Sequence, residues 1–263
     1  MLSVRALLTT PLSALALALA RASTAVTYAA AGSLTLETLQ RHAQRDWRDF
    51  GLGQTDQDIA AGLFPWEQDF CLPFLKPGER ILVVGCGSGR DLLALLERGY
   101  RVAGLDPVPQ CTAVAARRLA ERGLHAELFT GAIETADLGA RFDVFLFSWF
   151  CYSYIPTRAR RVRVLAKVRT LLPPDGRVLI SYIRAQPAPR RSLWRLACAT
   201  AWATRSDWRP EYGDVFVARH DSRCIHYEHR FQPAEIEAEA AAAGLTVAFH
   251  DESGDGNLVL VRA

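Results

Sequence analysis

The chain has 263 residues, half of them hydrophobic and 22% charged, with a formal net charge of +3. This excludes a disordered or collagen-like chain, and it suits one domain with additions better than two full domains. Only Lys76 and Lys167 of the 31 basic residues are lysine. The arginine content is therefore a general bias of composition, and with no dense basic run no nucleic-acid partner is expected.

In chain order, Ala6 to Ala20 is apolar, flanked by Arg5 and Arg21 and containing Pro11. That is short for a membrane span, which needs about 20 apolar residues. Three readings stay open for residues 1–32: a signal segment with a cleavage step at Ala20-Arg21-Ala22, a membrane anchor, or a loosely ordered extension. Residues 33–263 are expected to form the domain. A cytoplasmic location is expected, with membrane contact only through residues 1–32.

Leu36, Leu39, Ala43 and Trp47 recur at a helical period, and Pro65–Leu75 reads as a short helix ended by Lys76-Pro77-Gly78. A regular alternation follows. Strands are expected at 80–84, 101–105, 124–129, 142–147 and 177–183. Helices are expected at 90–98, 109–122 and 157–172, stopped by Gly99, Gly123 and Pro173-Pro174-Asp175-Gly176. Continuous apolar strands between helices imply an α/β fold with a doubly wound, mostly parallel sheet covered on both faces. Residues 185–212 break the rhythm with three prolines and Trp194, Trp202 and Trp208. A hairpin over 214–231, a helix over 233–243 and strands at 246–250 and 257–261 complete the chain.

The six cysteines, at 71, 86, 111, 151, 198 and 224, form no C-x-x-C pair. Reduced thiols are expected rather than a zinc site or a disulfide framework. His220, His226 and His229 share the hairpin, but His226 and His229 point to opposite faces, so no metal site is expected there either.

The strongest signal is Ile81-Leu82-Val83-Val84-Gly85-Cys86-Gly87-Ser88-Gly89-Arg90-Asp91, a strand entering a G-x-G-x-G turn and then a helix. Glycines admit positive φ and bare the backbone to a ligand. Asp106 ends the next strand, where an acid accepts both hydroxyls of a ribose. A dinucleotide fingerprint would be G-x-G-x-x-G, yet Arg90 stands where its last glycine would be, and Asp91 would repel a pyrophosphate. A nucleoside cofactor without a phosphate fits better.

These residues resemble the class I S-adenosylmethionine-dependent methyltransferases over roughly 65–183. Gly85-Cys86-Gly87-Ser88-Gly89 is similar to the first motif of that family and Asp106 to its ribose-binding acid. Thr130-Gly131-Ala132-Ile133 is similar to the loop beside the adenine, and Leu171-Leu172-Pro173-Pro174-Asp175-Gly176-Arg177 to the step before strand five. The resemblance implies a Rossmann-like, seven-stranded sheet with N-terminal helices and an inserted helical and hairpin segment. It also implies S-adenosylmethionine held by Gly85, Cys86, Gly87, Gly89, Asp106, Pro107, Ala132, Ile133 and Ser148. The sequence departs from the pattern in three places. Val83 replaces an acid common two residues before the first glycine, Ala132 replaces a loop acid, and Ser148-Trp149-Phe150-Cys151-Tyr152 lacks the N-P-P-Y of nucleic-acid enzymes.

Methyl transfer to a small-molecule acceptor is the function so implied. The alternatives are a non-catalytic S-adenosylmethionine-binding protein and a nicotinamide-dependent oxidoreductase. Tyr152 and Tyr154, just past the fourth strand, are candidates to contact the acceptor, and His226 is the candidate general base. Residues 185–230 are expected to cover the acceptor as a lid, with the N-terminal helices as its other half.

Overall fold

The structure, a computed structural model, describes residues 4–139 and 141–263. Residues 1–3 of the N-terminal segment lie outside that range. Two long helices come first, α1 (Val4–Ser33) and α2 (Leu36–Gly53), then the shorter α3 (Asp56–Ala61) and α4 (Pro65–Cys71). The alternating core follows as β1 (Arg80–Val84), α5 (Arg90–Leu96), β2 (Arg101–Asp106), α6 (Pro109–Glu121), β3 (Leu128–Thr130), β4 (Val144–Phe147), α7 (Arg158–Leu171) and β5 (Arg177–Tyr182). Then come α8 (Arg191–Ala203), the hairpin β6 (Asp214–Arg219) and β7 (Cys224–His229), α9 (Pro233–Ala242), β8 (Leu245–Asp251) and β9 (Gly256–Arg262).

The strands form one seven-stranded sheet in the order β3-β2-β1-β4-β5-β9-β8, with β9 antiparallel to both neighbours and β6-β7 as a separate ribbon. Alternate residues of each strand face opposite layers. Leu82, Val84, Phe145, Phe147, Val178 and Ile180 pack against Val164, Val168 and Ile236 of α7 and α9. Ile81, Val83, Val144, Leu146 and Leu179 pack against Phe70, Leu92 and Ala115 of α4, α5 and α6. Each such side chain, wholly withdrawn from water, contributes about 1.5–3 kcal/mol against leaving it exposed.

β3 is shorter than the expected 124–129. Leu124 and Ala126 turn instead toward Ile59, Leu93 and Leu119, so the chain joins the sheet only at Leu128. The helix α3 was not foreseen, although Thr55 and Asp58 form a reciprocal capping box at its start. Nor is α1 a loose extension throughout. Its C-terminal part is built into the domain: Tyr28 meets the Phe216 ring edge-on at 5.1 Å, and Ala31 is fully buried. A Cβ at Gly32 would fall 2.1 Å from the Ala197 carbonyl oxygen of α8, so only glycine permits this crossing.

Residues 185–230 do not form the expected lid. α8 packs on α1, and Trp208 joins Tyr28, Phe216 and Tyr227 in a core of its own. Trp194 donates its indole N–H to the Pro210 carbonyl at 3.0 Å. Tyr227 alone of that segment reaches the cleft described next.

Candidate active site

A cleft of about 240 Å³ opens at the C-terminal ends of β1, β2 and β4, at the point where the strand order reverses. Its floor is the turn after β1. The Gly85 and Cys86 N–H groups both donate to the Leu105 carbonyl, at 2.8 and 3.1 Å, which binds the turn to the end of β2. Gly85, Gly87 and Gly89 all have positive φ. A Cβ at Gly85 would fall 2.9 Å from that of Cys151, whereas one at Gly87 would meet nothing within 4 Å. Gly87 therefore offers bare backbone to the open cleft. Gly89 does not line it: it caps α5, where a Cβ would press on Ala115 at 3.1 Å. It sits where α5 and α6 pack together.

Asp106 is 7% exposed and lines the cleft. Its Oδ2 accepts from the Gly87 N–H at 2.9 Å and its Oδ1 from the Val108 N–H at 2.8 Å. Burial pushes its carboxyl up, and those two backbone donors pull it back. Each oxygen keeps a lone pair for a further donor. Pro107, Ala132, Ile133, Cys86 and Ser148 also line the cleft. Burial holds the Cys86 and Cys151 thiols well above the usual range, so both are protonated. Glu134, in the loop after β3, takes a 3.1 Å hydrogen bond from Arg160 Nε.

Asp91, which the sequence reading treated only as an obstacle to phosphate, lines the cleft as well. It accepts a hydrogen bond from Ser148 Oγ, and Arg90 Nε donates to its other oxygen at 2.6 Å. Arg90 also reaches Glu67 of α4 at 2.5 Å and stacks on Trp149 and Phe64, 4.4 and 4.7 Å from their centroids. Two carboxylates thus share one guanidinium in a dry site, and Arg90 Nη1 is buried without a partner. Burial first, and Asp91 second, push the Glu67 carboxyl up to about 7. Val83 faces the core, and the acid nearest in the chain that lines the cleft is Asp91, in the first turn of α5.

The far wall is apolar. Leu39, Ala43, Trp47 and Phe50 of α2 face Trp149, Tyr154, Ile155 and Pro156 across the cleft. Trp149 and Phe150 stand at φ 44° and 59°, a left-handed pair without glycine. Such backbone costs about 1–3 kcal/mol per residue and persists where packing over-determines it. Here Phe150 stacks on Trp66 at 5.3 Å and its N–H donates to Ser181 Oγ at 3.0 Å, which leaves Trp149 over the cleft.

The three residues expected to do chemistry part company. Tyr154 lines the cleft, packed against Trp47 at 4.4 Å, and burial keeps its hydroxyl protonated. Tyr152 does not: it is fully buried and donates to Glu239 at 2.8 Å in the α7–α9 core. A 3₁₀ turn spans Cys151–Tyr154 and sends residues two apart to different sides. His226 sits behind Trp47 and Tyr154, with Nδ1 2.6 Å from Asp46 Oδ2 and Nε2 3.3 Å from Glu228. Burial works to lower its pKa, but hydrogen bonds to Asp46 and Glu228 carry it above the usual histidine value. It is no free base at the cleft. His229 faces the other way, 2.7 Å from Asp214 and 3.0 Å from Glu235. Glu211, Asp214 and His229 lie close enough to share one ion, yet both His229 nitrogens and Glu211 are engaged, the latter by Arg161 at 2.9 Å.

Residues 81–176 match a family model described as a methyltransferase domain. A ubiquinone biosynthesis O-methyltransferase of Azorhizobium caulinodans is 31% identical over 174 residues, 65% of this chain and 60% of that protein. The chain thus spans less than two thirds of that relative's length. An S-adenosylmethionine-dependent methyltransferase of Clostridium acetobutylicum superposes with a TM-score of 0.58 at 14% identity, covering 79% of this chain and 96% of that one. The glycopeptide N-methyltransferase MtfA, solved with S-adenosylhomocysteine, gives a TM-score of 0.56 at 19% identity, covering 75% and 89%. At these identities the likeness is one of fold.

Proposed function

We propose that this chain is a class I S-adenosylmethionine-dependent methyltransferase and transfers a methyl group to a hydroxyl oxygen of an apolar small molecule. One observation carries the reading. A buried carboxyl group at the end of β2 closes on a glycine turn whose Gly87 leaves open space above it. That pair suits a ribose and the backbone of an adenosyl group. Bound there, S-adenosylmethionine supplies a methyl already activated on a sulfonium.

The chain's own residues then bind, orient and exclude water. Asp106 accepts from the ribose hydroxyls, and Pro107, Ala132 and Ile133 border the base. Asp91, with Ser148 bonded to it, receives the ammonium of the amino-acid end, and the unpartnered Arg90 Nη1 accounts for its carboxylate. Trp47, Phe50, Trp149 and Tyr154 form a dry pocket for the acceptor, whose alignment supplies most of the rate. Tyr154, protonated and with no hydrogen-bond partner for its hydroxyl among the described residues, donates to the acceptor oxygen and fixes its orientation. We propose residues 33–263 as the methyltransferase domain, with the end of α1 packed onto it and α2 rather than residues 185–230 as the lid.

Calorimetry with S-adenosylmethionine and S-adenosylhomocysteine tests the cofactor. Saturable binding of both is expected; binding of neither, or saturable quenching by a reduced nicotinamide dinucleotide instead, refutes the assignment. Incubation with the donor and a panel of apolar phenols and alcohols, read by mass spectrometry, tests the acceptor. Modification of amines alone would overturn the oxygen.

A further inference from the structure

Among the described residues, nothing covers positions 11–23 of α1. Residues 11–23 are exposed along their whole length, and Leu12, Leu15, Leu17 and Leu19 are 62, 56, 60 and 61% exposed. At 100° per residue, Leu12, Leu15 and Leu19 share one side and Leu17 takes the other, so the arm is apolar around its circumference. A helix of that kind has no polar face to turn to water.

Charge singles out the same corner. Residues 4–36, with the segment 184–206 that carries α8, hold seven of the chain's 31 basic residues and none of its 28 acidic ones. Arg21, Arg190, Arg191, Arg195 and Arg205 are exposed, and Trp202 beside them is 76% exposed. Basic residues stand there at the chain's average density, but no acid offsets them, so the two segments carry +7 while the rest of the chain sums to −4. α8, which carries these arginines and Trp202, packs on the C-terminal part of α1, and such side chains suit an anionic membrane surface.

We propose that α1 is a retained membrane arm that inserts into an anionic phospholipid leaflet and holds the cleft at the bilayer surface. The uncharged run from Ala6 to Ala20 reaches about 22 Å at helical rise. That is short of the roughly 30 Å hydrocarbon core, and the longer apolar stretch Pro11–Ser33 would span it only by giving up its seat in the domain, so the arm enters without crossing. Crossing would require Tyr28, Ala31 and Gly32 to leave their seats on β6 and α8. The same seats argue against discarding α1 as a leader. α2 begins three residues after α1 ends and supplies Leu39, Ala43, Trp47 and Phe50 to the cleft, so the arm roots beside the acceptor wall. An anionic leaflet attracting arginine is the cytoplasmic one, which sets the domain on that side.

The full chain is mixed with phosphatidylcholine–phosphatidylglycerol vesicles or with phosphatidylcholine alone and floated on a density gradient. The chain is expected to float with the mixed vesicles and to stay bound in high salt. The variant L12Q/L15Q/L17Q/L19Q should lose at least about a hundredfold in affinity, since several buried leucines are forfeited. R190Q/R191Q/R195Q should lose the preference for the anionic lipid while keeping residual binding. S-adenosylhomocysteine binding, measured on both variants, should match the parent, so a failed fold or a failed cofactor assignment is told apart from a failed arm. Three results overturn the proposal: no flotation of the full chain, release by salt alone, or sedimentation as a dimer that the leucine variant dissolves. A chain recovered from cells with its N-terminus beyond residue 20 overturns it as well.

Discussion

Asp106→Asn separates the ribose-binding reading from a merely structural one. Both carboxylate oxygens accept from backbone N–H groups, of Gly87 and Val108, at 2.9 and 2.8 Å. An amide can accept at one of these positions only and sets its own NH2 against the other N–H. One hydrogen bond to a charged acceptor is lost, worth about 1.5–3 kcal/mol, and a donor faces a donor. For a domain of this size that lowers Tm by roughly 4–10 °C. The same change removes the charge from whatever acceptor remains for the ribose hydroxyls. A further loss of about 1.5–3 kcal/mol in binding is a drop of roughly ten- to a hundredfold. Thermal unfolding, and titration with S-adenosylhomocysteine well below the variant's Tm, measure the two effects separately. Parental affinity in a variant that unfolds early would leave Asp106 as a turn brace and refute its role in the cofactor site.

Tyr154→Phe should lower kcat/KM about tenfold with stability little changed, whereas Tyr152→Phe should cost about 1–3 kcal/mol of stability and leave kcat of the folded enzyme alone; steady-state kinetics beside chemical denaturation decide it. His229 is held protonated: burial works to lower its pKa, but Asp214 and Glu235 raise it from 6.5 to about 9. The stability this gives is fully present below pH 6.5 and is lost as pH rises through about 9, roughly 3 kcal/mol in all, and His229→Gln should flatten that fall in a Tm-against-pH series. Arg161 is fully buried, with Nη2 2.6 Å from Glu239 and 2.9 Å from Glu211. Arg161→Met should cost about 3–5 kcal/mol by denaturant unfolding, and Glu239→Gln added to it should recover part of that.

The strands and glycine turns of the core were legible because local pattern and global fold agree there. Buried strands end at a turn or an acid, and helices end at glycines with positive φ such as Gly99 and Gly123. What failed was set by distance. Nothing in the text joins Asp46 to His226, 180 residues apart, or α8 to α1, so the histidine read as free and the insertion as a lid. Tyr152 and Tyr154 read alike until a 3₁₀ turn divided them. The left-handed bend at Trp149 and Phe150 carries no glycine to announce it. Asp91 was visible in the motif, but only the Ser148 contact reveals that it faces the cleft.

The uneven charge count around Arg90 bears on turnover. Glu67 and Asp91 together outnumber their one guanidinium, so once Glu67 ionises the cluster is left with an excess negative charge at the edge of the cleft. Methyl transfer removes a positive charge from the spent donor, and that field then favours fresh donor over product. Because the Glu67 carboxyl is pushed up to about 7, the ratio of product to donor dissociation constants should widen as pH rises through that value, and Glu67→Gln should hold it constant. Self-clearing of the pocket would then be written into an arginine with one acid too many.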